Sequence, residues 1–128
     1  MKITLCGSTR FIEQFHAWNR WLALQGHVVY SVAVVTTAVA SDVTNDEKET
    51  LDLVHLVKIL NSDAILVIDC LRWPDDHKYN VTKEKWELLT ETYVGESTAR
   101  EIKWAKLQYK LITYTGSFKG IEFSKGAR

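Results

Sequence analysis

Glu101 is the residue of this sequence with the clearest capacity for chemistry, because several polar side chains are expected close to it. Ser97 and Thr98 precede it by about one helical turn, Glu96 stands beside them, and Asp69 ends a predicted strand. When carboxyl groups face one cleft their pKa values move apart, so that one can act as a nucleophile while another acts as an acid. Thr98 and Glu101 also have capping-box spacing, in which the carboxylate would bond back to its own helix start. The spacing leaves both roles open.

A short loop after the first predicted strand could bind an anion. It contains a glycine, two hydroxyl residues and an arginine, namely Gly7, Ser8, Thr9 and Arg10. The loop leads into a predicted helix, whose N terminus would offer free N–H groups to a phosphate while Gly7 permits close approach of the backbone. The loop is neither a GxGxxG nor a GxxxxGK[ST] sequence, and Ser or Thr at this place is also an ordinary helix cap. The sequence therefore allows two roles for this loop, phosphate binding and helix capping.

The elements that must position these residues alternate along the chain. Apolar runs predict strands at 2–6, 64–68 and 111–114, a strand that begins at 27 and ends near Ser31, and a candidate fifth at 120–123. Helical spacing of apolar residues predicts helices after Phe11, from the Thr44 capping box and from Gly95. The alternation predicts a parallel α/β sheet covered by helices on both faces. Ligands bind such sheets beyond the carboxyl ends of the strands, where the polar segments above lie.

The segment from Cys70 to Val94 interrupts this alternation and is interpreted as an insertion or lid. A Pro-containing stretch at 73–77 breaks regular structure, and Thr82 to Glu91 predicts a short exposed helix. Its aromatic side chains could stack on a base or anchor the segment to the body of the domain; they are Trp73, Trp86 and Tyr93.

His55, in the second predicted helix, is typical of a packed histidine rather than a catalyst.

Composition limits the classes of function. The 128 residues predict one domain, and 16 basic against 16 acidic residues argue against binding to a nucleic-acid polymer. No signal peptide and no apolar stretch long enough to span a bilayer is found, so a cytoplasmic protein that does not bind a membrane is expected. Cys6 and Cys70 are expected to be reduced and buried, and no CxxC or His/Cys spacing indicates a zinc site.

Three stretches resemble the nucleoside 2-deoxyribosyltransferase-like superfamily, which includes the deoxynucleoside 5′-monophosphate N-glycosidases. They are Leu-Cys-Gly-Ser-Thr-Arg-Phe at 5–11, Ser-Asp-Ala at 62–64 and Tyr-Val-Gly-Glu-Ser-Thr-Ala-Arg-Glu-Ile-Lys-Trp-Ala at 93–105. The resemblance that they carry covers most of the chain. The resemblance is strongest to small bacterial and phage proteins with a GSTR-type first loop and a GEST-type helix start. It implies a flavodoxin-like or Rossmann-like three-layer fold, with a four- to five-stranded parallel sheet, as a single domain over residues 1–128.

The resemblance also implies an N-glycosidase or deoxyribosyltransferase that acts on a (deoxy)nucleoside 5′-monophosphate or a related nucleotide. Glu101 matches the nucleophile that attacks the anomeric carbon, and Asp69 stands near a strand-end aspartate used on the sugar or base. The first loop matches the region that faces the sugar or its phosphate, and Ser97 matches a position near the phosphate. The candidate substrate-binding set is Gly7, Ser8, Thr9, Arg10, Gly95, Glu96, Ser97 and Thr98. No metal or other cofactor is implied, and a homo-oligomer such as a dimer is expected.

One position departs from the family motif. The family has an aspartate six residues before the nucleophile, and this chain has Gly95 there. Protonation of the leaving base would then fall to Asp69 or Glu96. Two other functions stay open, namely a nucleotide-binding module that senses or sequesters its ligand without cleaving it, and a structural subunit whose tryptophans serve assembly.

Overall fold

The fold is built on a four-stranded parallel sheet. A computed structural model describes residues 1–33, 44–75 and 81–119. The strands are Lys2–Gly7 (β1), Val28–Tyr30 (β2), Ala64–Ile68 (β3) and Leu111–Tyr114 (β4), in the spatial order β2-β1-β3-β4. Every neighbouring pair is parallel. The predicted parallel α/β fold is therefore confirmed, with four strands among the described residues; the candidate strand at 120–123 lies outside them.

In the part of the chain that the structure describes, four α-helices accompany the sheet, and they are Ile12–Leu24 (α1), Asn45–Leu60 (α2), Lys83–Leu89 (α3) and Glu96–Leu107 (α4). The predicted capping box is present at the start of α2, where the Thr44 hydroxyl accepts from the Glu47 amide and the Glu47 carboxylate accepts from the Thr44 amide. Gly26 follows the end of α1 with a φ of 92°, the left-handed conformation that glycine adopts after a helix. Helix α3 confirms the short exposed helix predicted within 82–91.

The sheet is covered on both faces, which makes the fold three-layered. On one face, side chains of β1 and β3 pack against α1; the fully buried ones are Ile3, Leu5, Phe15, Trp18, Leu22, Ala64, Leu66 and Ile68. On the other face Cys6, Ile65 and Val67 pack against Ile59 of α2 and Ile102 of α4. Alternate residues of each strand point to opposite faces, so continuous apolar runs in β1 and β3 fill both cores.

Strand β2 ends at Tyr30, close to the end predicted near Ser31. It pairs with β1 only from Lys2 to Thr4, through Val28 to Tyr30. Beyond Thr4, none of the described residues pairs with the β2 side of β1. Most of the loop predicted from Ala33 onwards, at 34–43, and the part of the predicted insertion at 76–80 lie outside the described residues. Among the helices that the structure does describe, none is long and apolar enough to cross a membrane.

Candidate active site

A cleft of about 630 Å³ opens beyond the carboxyl end of β1 and between helices α2 and α4. Its volume falls within the range of small-molecule sites, roughly 300 to 1,000 Å³. The lining combines residues from the first loop, from α2, from Tyr93 and from the start of α4. They are Gly7, Ser8, Thr9, Val32, Ala33, Lys48, Leu51, Asp52, His55, Lys58, Tyr93, Gly95, Glu96, Ser97, Thr98 and Glu101. Eight of the ten residues predicted for the site are among them; Arg10 and Asp69 are not.

The first loop is held close to the sheet by Gly7. Its φ is 151°, and a Cβ at this position would stand 2.5 Å from the Ile68 carbonyl oxygen. Only glycine fits here, because β1 and β3 approach each other too closely for a side chain. Ser8 follows, and its hydroxyl accepts from the Arg10 amide at the start of a short 3-10 turn, Thr9–Phe11. Ser8 therefore both caps this turn and lines the cleft.

The N terminus of α4 faces the cleft without a side-chain cap. Gly95 is the N-cap residue, and no side chain hydrogen bonds the first turn. The first amides of a helix have no partner within the helix, so those at the start of α4 are available to a ligand and carry a partial positive charge. Ser97 also lines the cleft, although its hydroxyl accepts a 3.3 Å bond from Arg100. This helix end suits an anionic group.

The Glu101 side chain lies in the cleft and does not form the capping box that its spacing with Thr98 allows. Helix α4 starts at Glu96, which places Glu101 in the second turn. Its Oε1 lies 3.3 Å from Nε2 of His55, and its side chain is 16% exposed. Burial raises the pKa of the Glu101 carboxyl to about 7, and the Asp52 charge adds to this, while a hydrogen bond from Cys6 opposes it. A carboxyl group with this pKa can bind or release a proton near neutral pH.

His55 and Cys6 complete a buried cluster with Glu101. His55 Nε2 is 3.6 Å from the Cys6 sulfur. Burial lowers the pKa of His55 to about 4, helped by the Lys58 charge. Burial also raises the pKa of the Cys6 thiol well above its ordinary value, and the nearby Glu101 acts in the same direction. At neutral pH the ring is therefore neutral and the thiol protonated.

The backbone of Leu5 also acts on the His55 ring. A hydrogen bond with this backbone raises the histidine pKa and so opposes the effect of burial, although burial prevails. The ring nitrogen Nε2 faces Cys6 and Glu101.

Helix α2 contributes three charged side chains to the cleft, and they are Lys48, Asp52 and Lys58. Lys58 Nζ donates a 2.8 Å bond to the Ser31 carbonyl at the end of β2, which fixes its position. Lys48 lies in the first turn of α2 and is exposed. The cleft thus offers cationic groups on one side and the α4 helix end on the other.

Arg10 and Tyr93 pair beside the cleft. The Arg10 guanidinium carbon lies 3.6 Å from the centre of the Tyr93 ring, a cation–π contact, and the ring edge meets Phe11. Tyr93 lines the cleft, whereas Trp86 of α3 lies under Arg72, 5.0 Å from the guanidinium carbon to the ring centre. Trp86 is therefore placed to anchor the segment to the body of the domain, and Tyr93 is placed to contact a ligand.

Asp69 is placed at the end of β3 but outside the described lining of the cleft. It is 4% exposed, and its Oδ1 accepts from the Thr115 hydroxyl at 3.1 Å and from the Gly116 amide at 2.9 Å. Its carbonyl accepts from the Tyr93 amide at 2.7 Å. In this arrangement Asp69 ties together the ends of β3 and β4 and the segment before α4.

Sequence reasoning did not identify the part of the site that α2 provides. Polar residues recur at Lys48, Asp52 and His55, which puts them on one face of the helix, beside its apolar stripe. That periodicity is the signal that could have found them. Cys6 had no comparable signal, since its partners His55 and Glu101 lie 49 and 95 residues away in sequence.

Comparison with known proteins adds no relative, because no family model, no curated protein and no solved structure matches the chain.

Proposed function

We propose that the chain cleaves or exchanges the N-glycosidic bond of a (deoxy)nucleoside 5′-monophosphate or a related nucleotide. The observation that carries this proposal is that the Glu101 carboxyl group lines a 630 Å³ cleft together with the first loop and the uncapped start of α4. A nucleophile, a sugar-sized space and an anion-binding helix end are then within one site. The resemblance of residues 5–11 and 93–105 to the deoxyribosyltransferase-like superfamily supports the same reaction.

In the proposed reaction the ionised Glu101 carboxylate attacks the anomeric carbon of the sugar. The carbon–nitrogen bond to the base breaks, its electron pair leaves with the base, and an acid supplies the proton that the base needs. Water, or the nitrogen of a second base, then attacks the same carbon and releases Glu101. Glu96 is the better candidate for the acid, because it lines the cleft whereas the Asp69 Oδ1 is bound to Thr115 and Gly116.

The phosphate is proposed to lie at the start of α4. The free amides there and the positive end of the helix dipole favour an anion. Lys48 lines the same cleft and adds a cation, and Arg10 stands at its edge on the Tyr93 ring. Tyr93 presents an aromatic face on which a base could stack.

Release of free base from a panel of deoxynucleoside monophosphates, and from the matching nucleosides, tests the proposal. We expect base release from at least one monophosphate and a slower reaction of its nucleoside. Glu101→Gln should slow release at least about 10³-fold, since the amide is a poor nucleophile. Glu13→Gln, an exposed residue of α1 on the opposite face, is the matched control and should react as the parent does. Equal rates for the parent and Glu101→Gln would refute the proposal.

The second candidate function is a module that binds the nucleotide without cleaving it. It is favoured by Gly95, which stands where the family has an aspartate, and by the structural bonds of Asp69. Tight binding with no base release, unchanged in Glu101→Gln, would support this alternative. The third possible function, that of a structural subunit, requires a cleft too shallow to hold a ribose phosphate. The volume of this cleft favours a ligand instead.

We place the reaction in the cytoplasm. Cys6 and Cys70 are both free thiols, and free thiols are typical of reducing compartments.

A further inference from the structure

Three side chains from three different elements converge at the base of the cleft. Cys6 comes from β1, His55 from α2 and Glu101 from α4, and their ligand atoms all lie within 4.8 Å of one another. Cys6 is fully buried, while the His55 and Glu101 side chains are 10% and 16% exposed and line the cleft. A sulfur, an imidazole nitrogen and a carboxylate oxygen are thus brought together where a small ion can reach them. We propose that Cys6, His55 and Glu101 form a Zn²⁺ site that opens onto the cleft.

Two of the three ligand separations suit tetrahedral zinc, and the third, between Cys6 and Glu101, is within 4.8 Å. Bonds of about 2.0 to 2.3 Å to nitrogen, oxygen and sulfur put neighbouring ligand atoms roughly 3.4 to 3.6 Å apart in a tetrahedron. The observed separations are 3.3 Å from His55 Nε2 to the Glu101 oxygen and 3.6 Å from the same nitrogen to the Cys6 sulfur. The donors also suit zinc, which accepts thiolate, imidazole and carboxylate together. Three protein ligands leave the fourth position to water or substrate, as in zinc sites that do chemistry.

The orientation of the His55 ring also supports the site. Its Nε2 faces both other donors, at 3.3 Å from Glu101 Oε1 and 3.6 Å from the Cys6 sulfur. The ring is therefore already oriented as a ligand. Binding of Zn²⁺ would displace the thiol proton of Cys6 into solvent and form the zinc–thiolate bond.

The site has a consequence for catalysis that rests on the proposed function. A Glu101 carboxylate bound to zinc cannot attack a sugar carbon, because its lone pair is held by the metal. Zinc and nucleotide would then compete for the same residue. Micromolar Zn²⁺ is expected to inhibit base release, and a chelator is expected to restore it.

Cobalt absorption tests the metal site without reference to activity. Co²⁺ added to the full chain should give a thiolate-to-cobalt charge-transfer band and the strong visible bands of tetrahedral cobalt, and Zn²⁺ should remove both. Cys6→Ser should lose the charge-transfer band and bind Zn²⁺ more than about 100-fold more weakly, since loss of a ligand costs more than loss of an outer-shell partner. Cys70→Ser, the matched control, should keep the spectrum.

His55→Gln guards against a folding failure of Cys6→Ser, because the histidine is partly exposed to the cleft. This variant should also bind Zn²⁺ more than about 100-fold more weakly, with unchanged circular dichroism. Absence of the thiolate band in the folded parent, its persistence in Cys6→Ser, or an affinity of His55→Gln for Zn²⁺ equal to that of the parent would overturn the zinc proposal. Since these readouts do not use a nucleotide, they decide the metal site whether or not base release is observed.

Discussion

The chemistry of Glu101 follows from where its carboxyl group is buried. Burial removes water from the Glu101 carboxylate and raises its pKa to about 7, although a hydrogen bond from the neutral Cys6 thiol opposes the rise. A poorly solvated carboxylate is a better nucleophile than a fully hydrated one, yet it must first lose its proton. The same burial that prepares this residue for attack therefore limits the pH range in which it acts.

Base release should depend on pH through Glu101. In chelator-treated protein the single-turnover rate is expected to rise about tenfold per pH unit below pH 7 and to level off above it, because the carboxylate is the attacking form. A rate that is independent of pH between 5 and 8 would contradict a nucleophile with this pKa.

Stability should also reveal the buried carboxyl group. Its folded pKa of about 7 lies above the ordinary value of 4.5, so stability is lost as pH rises from 4.5 through 7. Glu101→Gln removes this loss. In metal-free buffer the variant should equal the parent near pH 4 and exceed it by a few kcal/mol at pH 8, about 3 at most. Urea unfolding at both pH values measures this, and a variant no more stable at pH 8 would contradict the assignment.

At the scale of elements, the site depends on short connections that the sheet holds in place. Gly7 lets the end of β1 lie against the Ile68 carbonyl of β3, and the first loop follows from there. The uncapped start of α4 lies across the cleft from α2. A ligand phosphate would supply the partner that the first turn of α4 lacks.

Two glycines with positive φ, Gly7 and Gly26, allow the effect of close packing on stability to be distinguished from the effect of backbone conformation. Gly7→Ala should destabilise the fold by at least about 3 kcal/mol, because its Cβ would overlap the Ile68 carbonyl. Gly26→Ala, which meets no atom within 4 Å, should cost only about 1 kcal/mol for its left-handed conformation. Urea unfolding of both variants measures the difference. Equal losses would show that steric contact at Gly7 is not what requires glycine.

The sequence predicted the helices and strands better than it predicted which of their side chains come into contact. Continuous apolar runs identified β1, β3 and β4, and the Thr44 capping box identified the start of α2, since these signals are local. Glu101 was identified by its motif. The approach of His55 to Glu101 could not be predicted, because it depends on how α2 and α4 lie side by side on the sheet, which no local pattern specifies.

At the scale of the whole molecule, the strand order explains why the site lies where it does. The chain goes from β1 outwards to β2, then crosses to β3 and β4 on the other side of β1. Helix α1 therefore covers one face while α2 and α4 share the other. Strand order reverses between β1 and β3, and ligands of open α/β sheets bind beyond the strand ends at such a reversal. The cleft occupies that position.

Helix α2 has an apolar surface that the described residues of one copy do not cover. Leu53, Val57 and Leu60 follow helical spacing and are 63%, 54% and 46% exposed, with Val54 beside them at 42%. A helix with apolar residues on two sides is typical of one that packs twice. We expect two copies to pair through this face, in keeping with the resemblance.

Light scattering after size-exclusion chromatography tests the pairing. The parent should elute with the mass of a dimer, and Val57→Glu should elute with that of a monomer, because a charge in the paired face lacks a partner. Leu24→Glu, at an exposed leucine of α1, should remain a dimer. A monomeric parent, or a dimeric Val57→Glu, would contradict the expectation.

The mass of the peptide that contains Glu101 tests the central claim most directly. A deoxynucleotide with fluorine at the sugar 2′ position slows both steps of a retaining reaction, so that the glycosyl-enzyme accumulates and can be quenched. We predict that this peptide gains the mass of one fluorinated sugar phosphate, with free base released in equal amount. The corresponding peptide of Glu101→Gln should gain no mass. Release of base while the Glu101 peptide stays unmodified would contradict it.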